Sequence, residues 1–350
     1  MYTEQLKALR QDITTSLTEE SLDHLEPLRG GHMLITGGTG FVGTWLSELA
    51  AYLNDVLGFR LRVTLLARET SDFTLTAPHL AARPEFDLIR EDVRNLRDIP
   101  LDVAWIVHAG ATPDNRLHNT DPLRTADSIV NGTRAVLEAA VRLPMLSGLL
   151  NISSGLVYGP QPVTLEGISE EDFHGFDPST FGSVYAESKR MAENLCAAYA
   201  NQQRLRIVTA RPFAFIGPYQ HLDRPWAINN FVRDSVQGGP IRILGDGETV
   251  RSYMYPADMA VWMLAMLAGG VSGESYNVGS PQAVTLRAAA ELVADQFSPR
   301  PKINTSLLPA KHQEHSRFVP NVSRAQKTLR LDIKFDLKAA IRRTLEWNAG

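Results

Sequence analysis

Cysteine is nearly absent from this chain: Cys196 is the only one among 350 residues. One cysteine cannot form a disulfide within the chain, and it offers no cysteine-rich set of metal ligands. We therefore expect no disulfide framework and no bound metal, and this cysteine content is typical of a reducing compartment such as the cytoplasm. Cys196 itself is expected to be a buried helix residue.

A strong excess of charge of one sign is also missing. Lys and Arg number 35 and Asp and Glu 39, so the formal net charge is −4, and the pI is about 6.2. Such a chain produces no strong positive field, so a nucleic acid is not an expected partner. Apolar residues make up 44% and charged residues 21% of the chain, which excludes a disordered or fibrous protein.

Long hydrophobic runs are lacking as well. The longest apolar stretch, Met259–Leu267, is far shorter than the roughly 20 residues that cross a bilayer, so it is expected to form a buried helix. The N-terminal segment has neither the apolar core nor the cleavage site of a secretory signal. We therefore expect a cytoplasmic protein without a membrane-spanning segment.

What the sequence does contain is a regular alternation of apolar strands with helical patterns. This alternation predicts an α/β protein built on a Rossmann-type, doubly wound parallel sheet. The predicted strands lie at His32–Thr36, Leu61–Ala67, Phe86–Arg90, Val103–Ala109, Leu149–Ser153 and Arg206–Ala210, and the longest predicted helices at Phe41–Leu53, Ile129–Arg142 and Ser183–Asn201.

Changes in this pattern divide the chain into three predicted parts. Residues 1–31 carry leucine and isoleucine at helical spacing, and we expect a helical extension that packs on the protein or contacts a second subunit. Residues 32–212 are expected to form the dinucleotide-binding Rossmann domain. The pattern then loosens, so residues 213–350 are expected to form mainly a smaller α/β substrate-binding lobe, with some return to the Rossmann domain.

A glycine-rich loop joins the first predicted strand to the first predicted helix of the sheet. Its sequence, Gly37-Gly-Thr-Gly-Phe-Val-Gly43, places glycines at 37, 40 and 43. Such a loop lets the backbone approach a pyrophosphate and directs helix N–H groups at it. We therefore predict that Gly37, Gly40, Phe41, Val42 and Gly43 bind a dinucleotide.

The residues after the next two strands bear on the choice between NAD and NADP, which the sequence leaves open. An acid at the end of the second strand hydrogen-bonds the ribose 2′-hydroxyl of NAD, whereas an arginine accommodates the 2′-phosphate of NADP. Arg68 directly follows Ala67, which favours NADP slightly, although Glu69 is near enough to serve the hydroxyl. Asp92 and Val93 follow the third predicted strand, where an acid reaches the adenine amine. The alternative function of Asp92 is to cap a helix.

Tyr185 and Lys189 form the clearest catalytic pattern. Their spacing places both side chains on one face of a predicted helix. A lysine ammonium beside a phenol favours the phenolate and lowers the phenol pKa toward the range in which tyrosine acts as acid and base. Ser153 and Ser154 follow a predicted strand, at the edge of the sheet where ligands bind in this architecture.

These features occur together with further motifs in a fixed order. The set resembles the extended short-chain dehydrogenase/reductases, the nucleotide-sugar epimerase/dehydratase family, over roughly residues 31–345. The motifs are Gly37–Gly43 (GGTGFVG), His108–Ala111 (HAGA), Val130–Thr133 (VNGT), Ser153–Gly159 (SSGLVYG), Tyr185–Lys189 (YAESK), Arg211–Phe213 (RPF), Gly245–Gly247 (GDG) and Arg251–Asp258 (RSYMYPAD).

The resemblance implies roles for the matching residues on a nucleotide-diphosphate sugar. Tyr185 would act as acid or base on a sugar hydroxyl or ketone, Lys189 would bind the nicotinamide ribose, and Ser154 would hydrogen-bond the same sugar oxygen as Tyr185. Arg251 would clamp the substrate diphosphate, because its planar guanidinium suits phosphate. Asn230 would lie near the phosphate or base of the substrate.

The resemblance also bears on the cofactor and on assembly. It implies that Ala109 lies against the NAD or NADP cofactor. It further implies a homodimer in which the helices predicted at Ile129–Arg142 and Ser183–Asn201 pair with their counterparts, and the N-terminal extension could add to that contact.

The residues that follow Ser154 separate the reactions of the family. Its 4,6-dehydratases have Thr-Asp-Glu where this chain has Ser154-Gly155-Leu156, and its UDP-glucuronate decarboxylases have a glutamate at the position of Leu156. Both reactions are therefore disfavoured, and hydride transfer at C4 is favoured. A 4-epimerase is the leading hypothesis and an NADPH-dependent 4-ketoreductase the alternative. A non-catalytic dinucleotide-binding regulator is a remote third, since fold does not fix function.

Overall fold

The structure of the protein, a computed structural model, describes residues 2–111, 115–177, 179–306 and 315–349. Helices and strands alternate along most of this length. Within the described ranges there are thirteen α-helices: α1 (Tyr2–Ser16), α2 (Glu19–Leu25), α3 (Phe41–Leu57), α4 (Ser71–Thr76), α5 (Pro78–Ala81), α6 (Asn115–Thr120), α7 (Pro122–Ala140), α8 (Val184–Gln203), α9 (Ala227–Val236), α10 (Pro256–Gly269), α11 (Leu286–Ala294), α12 (Ser323–Leu329) and α13 (Leu337–Asn348). The same ranges contain twelve strands: β1 (His32–Thr36), β2 (Arg62–Ala67), β3 (Phe86–Arg90), β4 (Trp105–His108), β5 (Gly148–Ile152), β6 (Ile207–Pro212), β7 (Ile241–Ile243), β8 (Val250–Arg251), β9 (Ser275–Val278), β10 (Val284–Thr285), β11 (Ile303–Thr305) and β12 (Arg317–Phe318).

Seven strands form the central sheet, in the order β3-β2-β1-β4-β5-β6-β9. Every neighbouring pair in it is parallel. Met33 and Ile35 of β1 pack with α3 and α10, whereas Leu34 packs on the other face with α7. Helices on both faces explain why β1 is buried along its whole length. This architecture confirms the predicted α/β class and the Rossmann-type sheet.

The sheet places a ligand crevice at a definite position. Strand order reverses between β1 and β4, the two central neighbours that come from different halves of the sheet. In open parallel sheets, ligands bind outside the carboxyl ends of the strands at such a reversal. The loops that follow β1, β4 and β5 therefore surround the expected site.

The sequence predicts most element positions, and the differences lie at the ends of the elements. The strand predicted to begin at Val103 is limited to Trp105–His108. α7 begins well before the predicted start at Ile129. Its early start has a local cause, because the Asp121 side chain accepts a first-turn N–H at 3.1 Å and Pro122 occupies the first helical position.

The C-terminal part of the chain returns to the central sheet before it completes a smaller lobe. β9 pairs with β6 as the outermost strand, and the remaining short strands form the sheets β10-β8-β12 and β11-β7. The stretch Met259–Leu267 lies in α10 and is buried. Among the described residues, no helix combines the length and the apolar character needed to cross a membrane. The limits 1–31, 32–212 and 213–350 stay a prediction.

The N-terminal helices α1 and α2 pack on α3 and α10 of their own chain. Leu9 and Ile13 are buried in this contact. Asp12 is buried beside them and accepts hydrogen bonds from the Tyr255 hydroxyl (2.6 Å) and from Nε of Arg343 in α13 (2.9 Å). The extension is therefore tied to the C-terminal part of the protein.

Asp258, in the first turn of α10, joins three separate segments. Its carboxylate accepts hydrogen bonds from the Ser16 hydroxyl (2.7 Å) and from the N–H groups of Lys334 (3.0 Å) and Phe335 (3.1 Å). Burial raises the pKa of Asp258 to about 6. This residue therefore links the N-terminal extension to the segment before α13 through one carboxyl group.

Candidate active site

The glycine loop between β1 and α3 has no room for side chains at several of its glycines. Gly37 has a φ of +68°, and a Cβ there would lie 2.4 Å from the carbonyl oxygen of Ala109. A Cβ on Gly43 would lie 2.3 Å from the carbonyl oxygen of Gly38. The loop backbone therefore packs directly on the end of β4 and on itself. The exposed Gly40 forms the N-cap of α3, an arrangement that suits an anion.

The other residues predicted around the loop lie at the same edge of the sheet. Phe41 and Val42 are half-buried in the first turn of α3, and Ala109 is half-buried directly after β4. The Ala109 N–H donates to the carbonyl oxygen of Thr36 at 3.0 Å, which continues the pairing of β1 with β4. The predicted dinucleotide-binding residues of the glycine loop, of the first turn of α3 and of the segment after β4 are therefore brought together.

The carboxyl end of β2 carries an arginine and a glutamate in different situations. Arg68 is exposed directly after the strand. The Glu69 carboxylate instead folds back, and its Oε1 accepts the N–H groups of Thr70 (2.9 Å) and Ser71 (3.0 Å) and the Ser71 hydroxyl (2.8 Å). These hydrogen bonds, the one from the Ser71 N–H above all, lower the pKa of Glu69. Glu69 thus caps the start of α4, which disfavours its use for a ribose hydroxyl.

Asp92 caps the 3-10 turn Val93–Asn95. Its carboxylate accepts the N–H of Arg94 at 3.0 Å and pairs with the Arg94 guanidinium at 2.7 Å. The hydrogen bond from the Arg94 side chain is the main reason that the pKa of Asp92 falls to about 2. Of the two functions that the sequence allows for Asp92, the cap is present in the structure. The contact of Asp92 and Val93 with adenine stays a prediction.

Ser154 and Tyr185 meet where β5 ends and α8 begins. Ser154 caps the 3-10 turn Gly155–Tyr158, its Oγ accepting the Leu156 N–H at 3.2 Å, and its hydroxyl is near enough to the Tyr185 phenol to lower the pKa of that phenol. Both side chains are buried, and burial raises the pKa of Tyr185 to about 12. The expected lowering of this pKa by Lys189 is therefore wrong for this structure, because the loss of hydration dominates.

Lys189 lies one helical turn after Tyr185 in α8. Its Nζ donates to the carbonyl oxygen of Ile152, the last residue of β5, at 2.7 Å. Burial lowers the pKa of Lys189 to about 8. The ammonium is thus fixed at the carboxyl end of the strand that also leads to Ser154.

Two observations show that these residues fit a dinucleotide. The tightly packed glycine loop leaves the exposed Gly40 at the N-terminus of α3, where helix N–H groups suit a pyrophosphate. At the end of β5, the Asn151 amide nitrogen and the Ser153 hydroxyl are buried and have no hydrogen-bond partner among the described residues. Buried polar atoms of this kind are costly, so a ligand that supplies partners is favoured beside Ser154.

The comparison with known proteins agrees with this geometry. A model of the NAD dependent epimerase/dehydratase family matches residues 33–279. The chain belongs to this family. It is thus an enzyme of the extended short-chain dehydrogenase/reductase type, as the motifs predicted.

Relatives and solved structures add detail to this assignment. UDP-glucuronic acid decarboxylase 1 of Arabidopsis thaliana is 30% identical over 313 residues, which cover 89% of this chain and 68% of that protein. The decarboxylase 1 of Xenopus tropicalis is 27% identical over 315 residues, 90% of this chain and 71% of that protein. UDP-glucose 4-epimerase from Thermotoga maritima has a TM-score of 0.76 at 20% identity, covering 91% of this chain and 98% of its own. UDP-glucuronic acid 4-epimerase from Bacillus cereus, solved with UDP-glucuronic acid and NAD, has a TM-score of 0.75 at 22% identity, covering 90% and 98%. At these identities the two structures support the fold.

In this member of the NAD dependent epimerase/dehydratase family, the turn after Ser154 carries no carboxylate. Gly155 leaves no room for one, and the next residue, Leu156, is apolar. A Cβ on Gly155 would lie 2.8 Å from the ring of Phe213 and 2.9 Å from the ring of Phe318. A longer side chain therefore cannot be placed there without moving both rings. Leu156, the next residue, is 45% exposed and carries no titratable group.

His118 is a site residue that the sequence does not predict. Its ring stacks on the ring of Tyr185, with centroids 4.1 Å apart and an interplanar angle of 12°. His118 lies in α6 and is buried. The sequence holds no usable signal for this contact, because a helix of six residues has too few apolar positions to define a face.

The predicted substrate contacts lie on elements outside the central sheet. Arg251 is half-buried in β8, and its Nη1 donates to the carbonyl oxygens of Val250 (2.8 Å) and Ser316 (3.2 Å). Burial lowers the pKa of Arg251. Asn230 is half-buried in α9. Their contacts with substrate stay predictions.

Proposed function

We propose that this protein transfers hydride between a nicotinamide dinucleotide and C4 of a nucleotide-diphosphate sugar, as a 4-epimerase of the cytoplasm. The observation that carries the proposal is the cluster of Ser154, Tyr185 and Lys189 at the carboxyl end of β5, the same edge of the sheet that carries the glycine loop after β1. Bound nicotinamide supplies the acceptor and donor of hydride. The chain itself supplies the proton transfer at the C4 oxygen.

Tyr185 carries the proton in both directions of this reaction. Its phenolate takes the proton of the C4 hydroxyl while C4 loses hydride, and its phenol returns the proton to the same oxygen when hydride is given back. Ser154 holds that oxygen by a second hydrogen bond. The pKa of Tyr185, near 12 in this structure, makes it a proton donor, so oxidation needs the charge of Lys189 to stabilise the phenolate.

The turn after Ser154 supports C4 hydride transfer without a following elimination or decarboxylation. Gly155 and Leu156 provide no carboxylate, and the rings packed on Gly155 leave no space for one. The relatives at 27–30% identity are named UDP-glucuronic acid decarboxylases. UDP-glucuronic acid therefore belongs among the substrates to be tested.

One observation favours a 4-ketoreductase as the second candidate function. The end of β2 presents Arg68 to solvent, while Glu69 is used in the cap of α4. An arginine at this position suits NADPH, which a reductase takes up and releases in every turnover. A ketoreductase uses the second half of the proposed reaction, with Tyr185 donating its proton to the C4 ketone.

The substrate is proposed to bind through its diphosphate at Arg251, with Asn230 near the phosphate or base. A guanidinium forms paired hydrogen bonds with phosphate oxygens. The carbonyl contacts of Arg251 hold the head of its side chain beside β8 and β12. Replacing Arg251 is expected to raise KM for every nucleotide sugar without removing binding of the dinucleotide.

The reaction is tested by incubating the purified protein with UDP-, dTDP-, GDP- and CDP-hexoses, including UDP-glucuronic acid, and following C4 by NMR. We expect inversion at C4 without net consumption of cofactor. A product that forms only from a 4-keto sugar, with one NADPH consumed for each molecule, would establish the ketoreductase. Release of carbon dioxide would overturn both.

A substitution of Tyr185 provides the matched control for this experiment. Tyr185→Phe keeps the ring that packs on His118 and removes the proton carrier, so turnover should fall by about 100-fold or more while dinucleotide binding persists. Dinucleotide binding without turnover in the unmodified protein, on every sugar tested, would instead indicate the non-catalytic regulator.

A further inference from the structure

Leu156 is an exposed apolar residue in the turn that follows Ser154. Its N–H donates to Oγ of Ser154 at 3.2 Å. The next two residues of the turn, Val157 and Tyr158, are fully buried, whereas the Leu156 side chain is half-exposed. Successive residues of a 3-10 turn point about 120° apart, so Leu156 points away from the cluster that buries its neighbours.

An aromatic side chain of the C-terminal lobe packs on another side of the same turn. Phe318 of β12 stacks on Phe213, with ring centroids 4.4 Å apart, and its ring would lie 2.9 Å from a Cβ on Gly155. Phe318 is also paired in register with Arg251 of β8. The half-buried Phe318 therefore connects the turn after Ser154 with the arginine proposed to hold the diphosphate.

A sugar bound as proposed extends from Arg251 to Ser154, because its diphosphate is joined to C1 and its reacting oxygen to C4. Its ring then lies near Phe318, and the C–H groups of a pyranose pack well on an aromatic surface. Leu156 lies within reach of the substituents next to C4, because its N–H contacts the Ser154 oxygen that holds the C4 oxygen.

Two carbons of the sugar are bonded to C4, and they differ in what they carry. In hexoses C3 carries a hydroxyl, and C5 carries C6, which is a methyl, a hydroxymethyl or a carboxylate group in different nucleotide sugars. An exposed leucine offers no hydrogen bond to a hydroxyl. The apolar surface of Leu156 is therefore suited to a C6 methyl group.

The arginines around the turn are engaged with backbone carbonyl oxygens. Nε of Arg190 donates to the carbonyl oxygen of Val157 at 2.7 Å. Nε and Nη2 of Arg317 donate to the carbonyl oxygen of Glu166 at 2.9 and 2.8 Å. A carboxylate at C6 would therefore lose hydration beside Leu156 without an ion pair from either arginine.

We infer that Leu156 and Phe318 select a 6-deoxyhexose, a sugar whose C6 is a methyl group, as the sugar of the nucleotide substrate. The inference rests on the proposed function, since it takes C4 as the reacting carbon. The methyl group packs on Leu156 and the sugar ring on Phe318. A hydroxymethyl group is accepted less well, and a carboxylate least, because an unpaired charge is the most costly group to desolvate.

The test compares three nucleotide sugars that differ only at C6, namely UDP-6-deoxyglucose, UDP-glucose and UDP-glucuronic acid. The value of kcat/KM for the change at C4 is measured by NMR, with the corresponding 4-keto sugars if the reaction is a reduction. The series is repeated with dTDP, GDP and CDP in place of UDP. We expect the 6-deoxy sugar to exceed the hexose about 10-fold and the hexuronic acid about 100-fold or more.

Binding measurements separate this inference from the proposed reaction. Tyr185→Phe lacks the proton carrier, so calorimetry with this variant and added dinucleotide reports recognition of the sugar without turnover. The same order of affinity, without conversion by the unmodified protein, refutes the proposed reaction and supports selection at C6. Equal affinities, or tightest binding of the hexuronic acid, overturn the inference. If no sugar of any series binds, both proposals fail.

Variants assign the selection to particular side chains. Leu156→Gln keeps the length of the side chain and adds hydrogen-bonding groups, so the preference for methyl over hydroxymethyl should fall to about 2-fold or less. Phe318→Leu removes the ring and should raise KM for all three sugars about 10-fold without changing their order. Leu101→Gln is the control, since Leu101 is an exposed leucine before β4, at the opposite edge of the sheet.

Each variant has a result that contradicts its assignment. An unchanged order of the three sugars in Leu156→Gln shows that Leu156 does not select at C6. An unchanged KM in Phe318→Leu shows that the sugar ring does not pack on Phe318. A change in Leu101→Gln as large as that in Leu156→Gln refutes a local effect. Melting temperatures of all variants show whether each remains folded.

Discussion

At the scale of single residues, His118 contacts the proposed proton carrier directly. Its ring covers one face of the Tyr185 ring at 4.1 Å, so it limits rotation of the phenol and keeps water from that face. Stacked aromatic pairs of this kind contribute about 0.5–1.5 kcal/mol. His118 is therefore expected to act as a positioning residue for Tyr185.

Replacing His118 tests this function. His118→Ala should lower kcat by up to about 10-fold, which corresponds to the loss of the stacking energy. His118→Phe keeps a flat ring and should restore most of kcat, with a pH–rate profile like that of the unmodified protein. If Phe fails to rescue while KM and melting temperature are unchanged, the imidazole contributes through its own protons and the positioning function is refuted.

At the scale of elements, the attachment of α1 to α10 depends on a buried carboxyl group. The pKa of Asp258 is raised by burial from 3.8 to about 6, so the folded protein holds this proton more tightly than the unfolded chain does. The stability that Asp258 contributes is present below about pH 4 and is lost as the pH rises through 6. At neutral pH the buried charge is a cost that its hydrogen bonds from Ser16 and two backbone N–H groups reduce.

Asp258→Asn removes the titration and keeps a carbonyl oxygen for the two backbone donors. The free energy of unfolding of this variant, relative to the unmodified protein, should increase by about 1–3 kcal/mol between pH 4 and pH 7. Urea unfolding at four pH values measures the difference. Asp12, whose pKa is also raised by burial, titrates in both proteins. Its effect therefore largely cancels in the difference between their free energies of unfolding. Parallel stability curves would contradict the assignment.

The same scale shows how far sequence patterns determine this fold. Strands such as β1 and β3 are predicted with their observed bounds, because short apolar runs between turn residues have few alternatives. The start of α7 is missed, since it is set by the Asp121 cap and not by apolar periodicity. The stack of His118 on Tyr185 depends on which elements meet in space. The spacing of residues along the sequence does not predict such contacts.

At the scale of the whole molecule, we propose a homodimer formed by α7 and α8. These helices pack on each other along one face of the sheet. Leu123 of α7 is 84% exposed and Met191 of α8 is 48% exposed. Large apolar side chains on adjacent helices are suited to an interface with a second copy.

Sedimentation velocity of the purified protein measures this assembly. Met191→Glu should convert the dimer to a monomer, because a charge would be buried without a partner in the interface. Val236→Glu, at the exposed last residue of α9, adds the same charge outside the proposed interface and should leave the dimer intact. A monomeric unmodified protein, or equal effects of both variants, would refute this arrangement.

The contact between Asp12 and Arg343 joins residues 331 positions apart, and it has a consequence for synthesis. At about 5–20 residues per second, a ribosome needs on the order of 20–60 s to make the intervening chain. During that time the strands from β1 to β6 can assemble, but α1 lacks the partners that it later finds in α10 and α13. Its apolar face, with Leu9 and Ile13, has only α3 to pack on until α10 has been made, so docking of the first helix is completed late in folding.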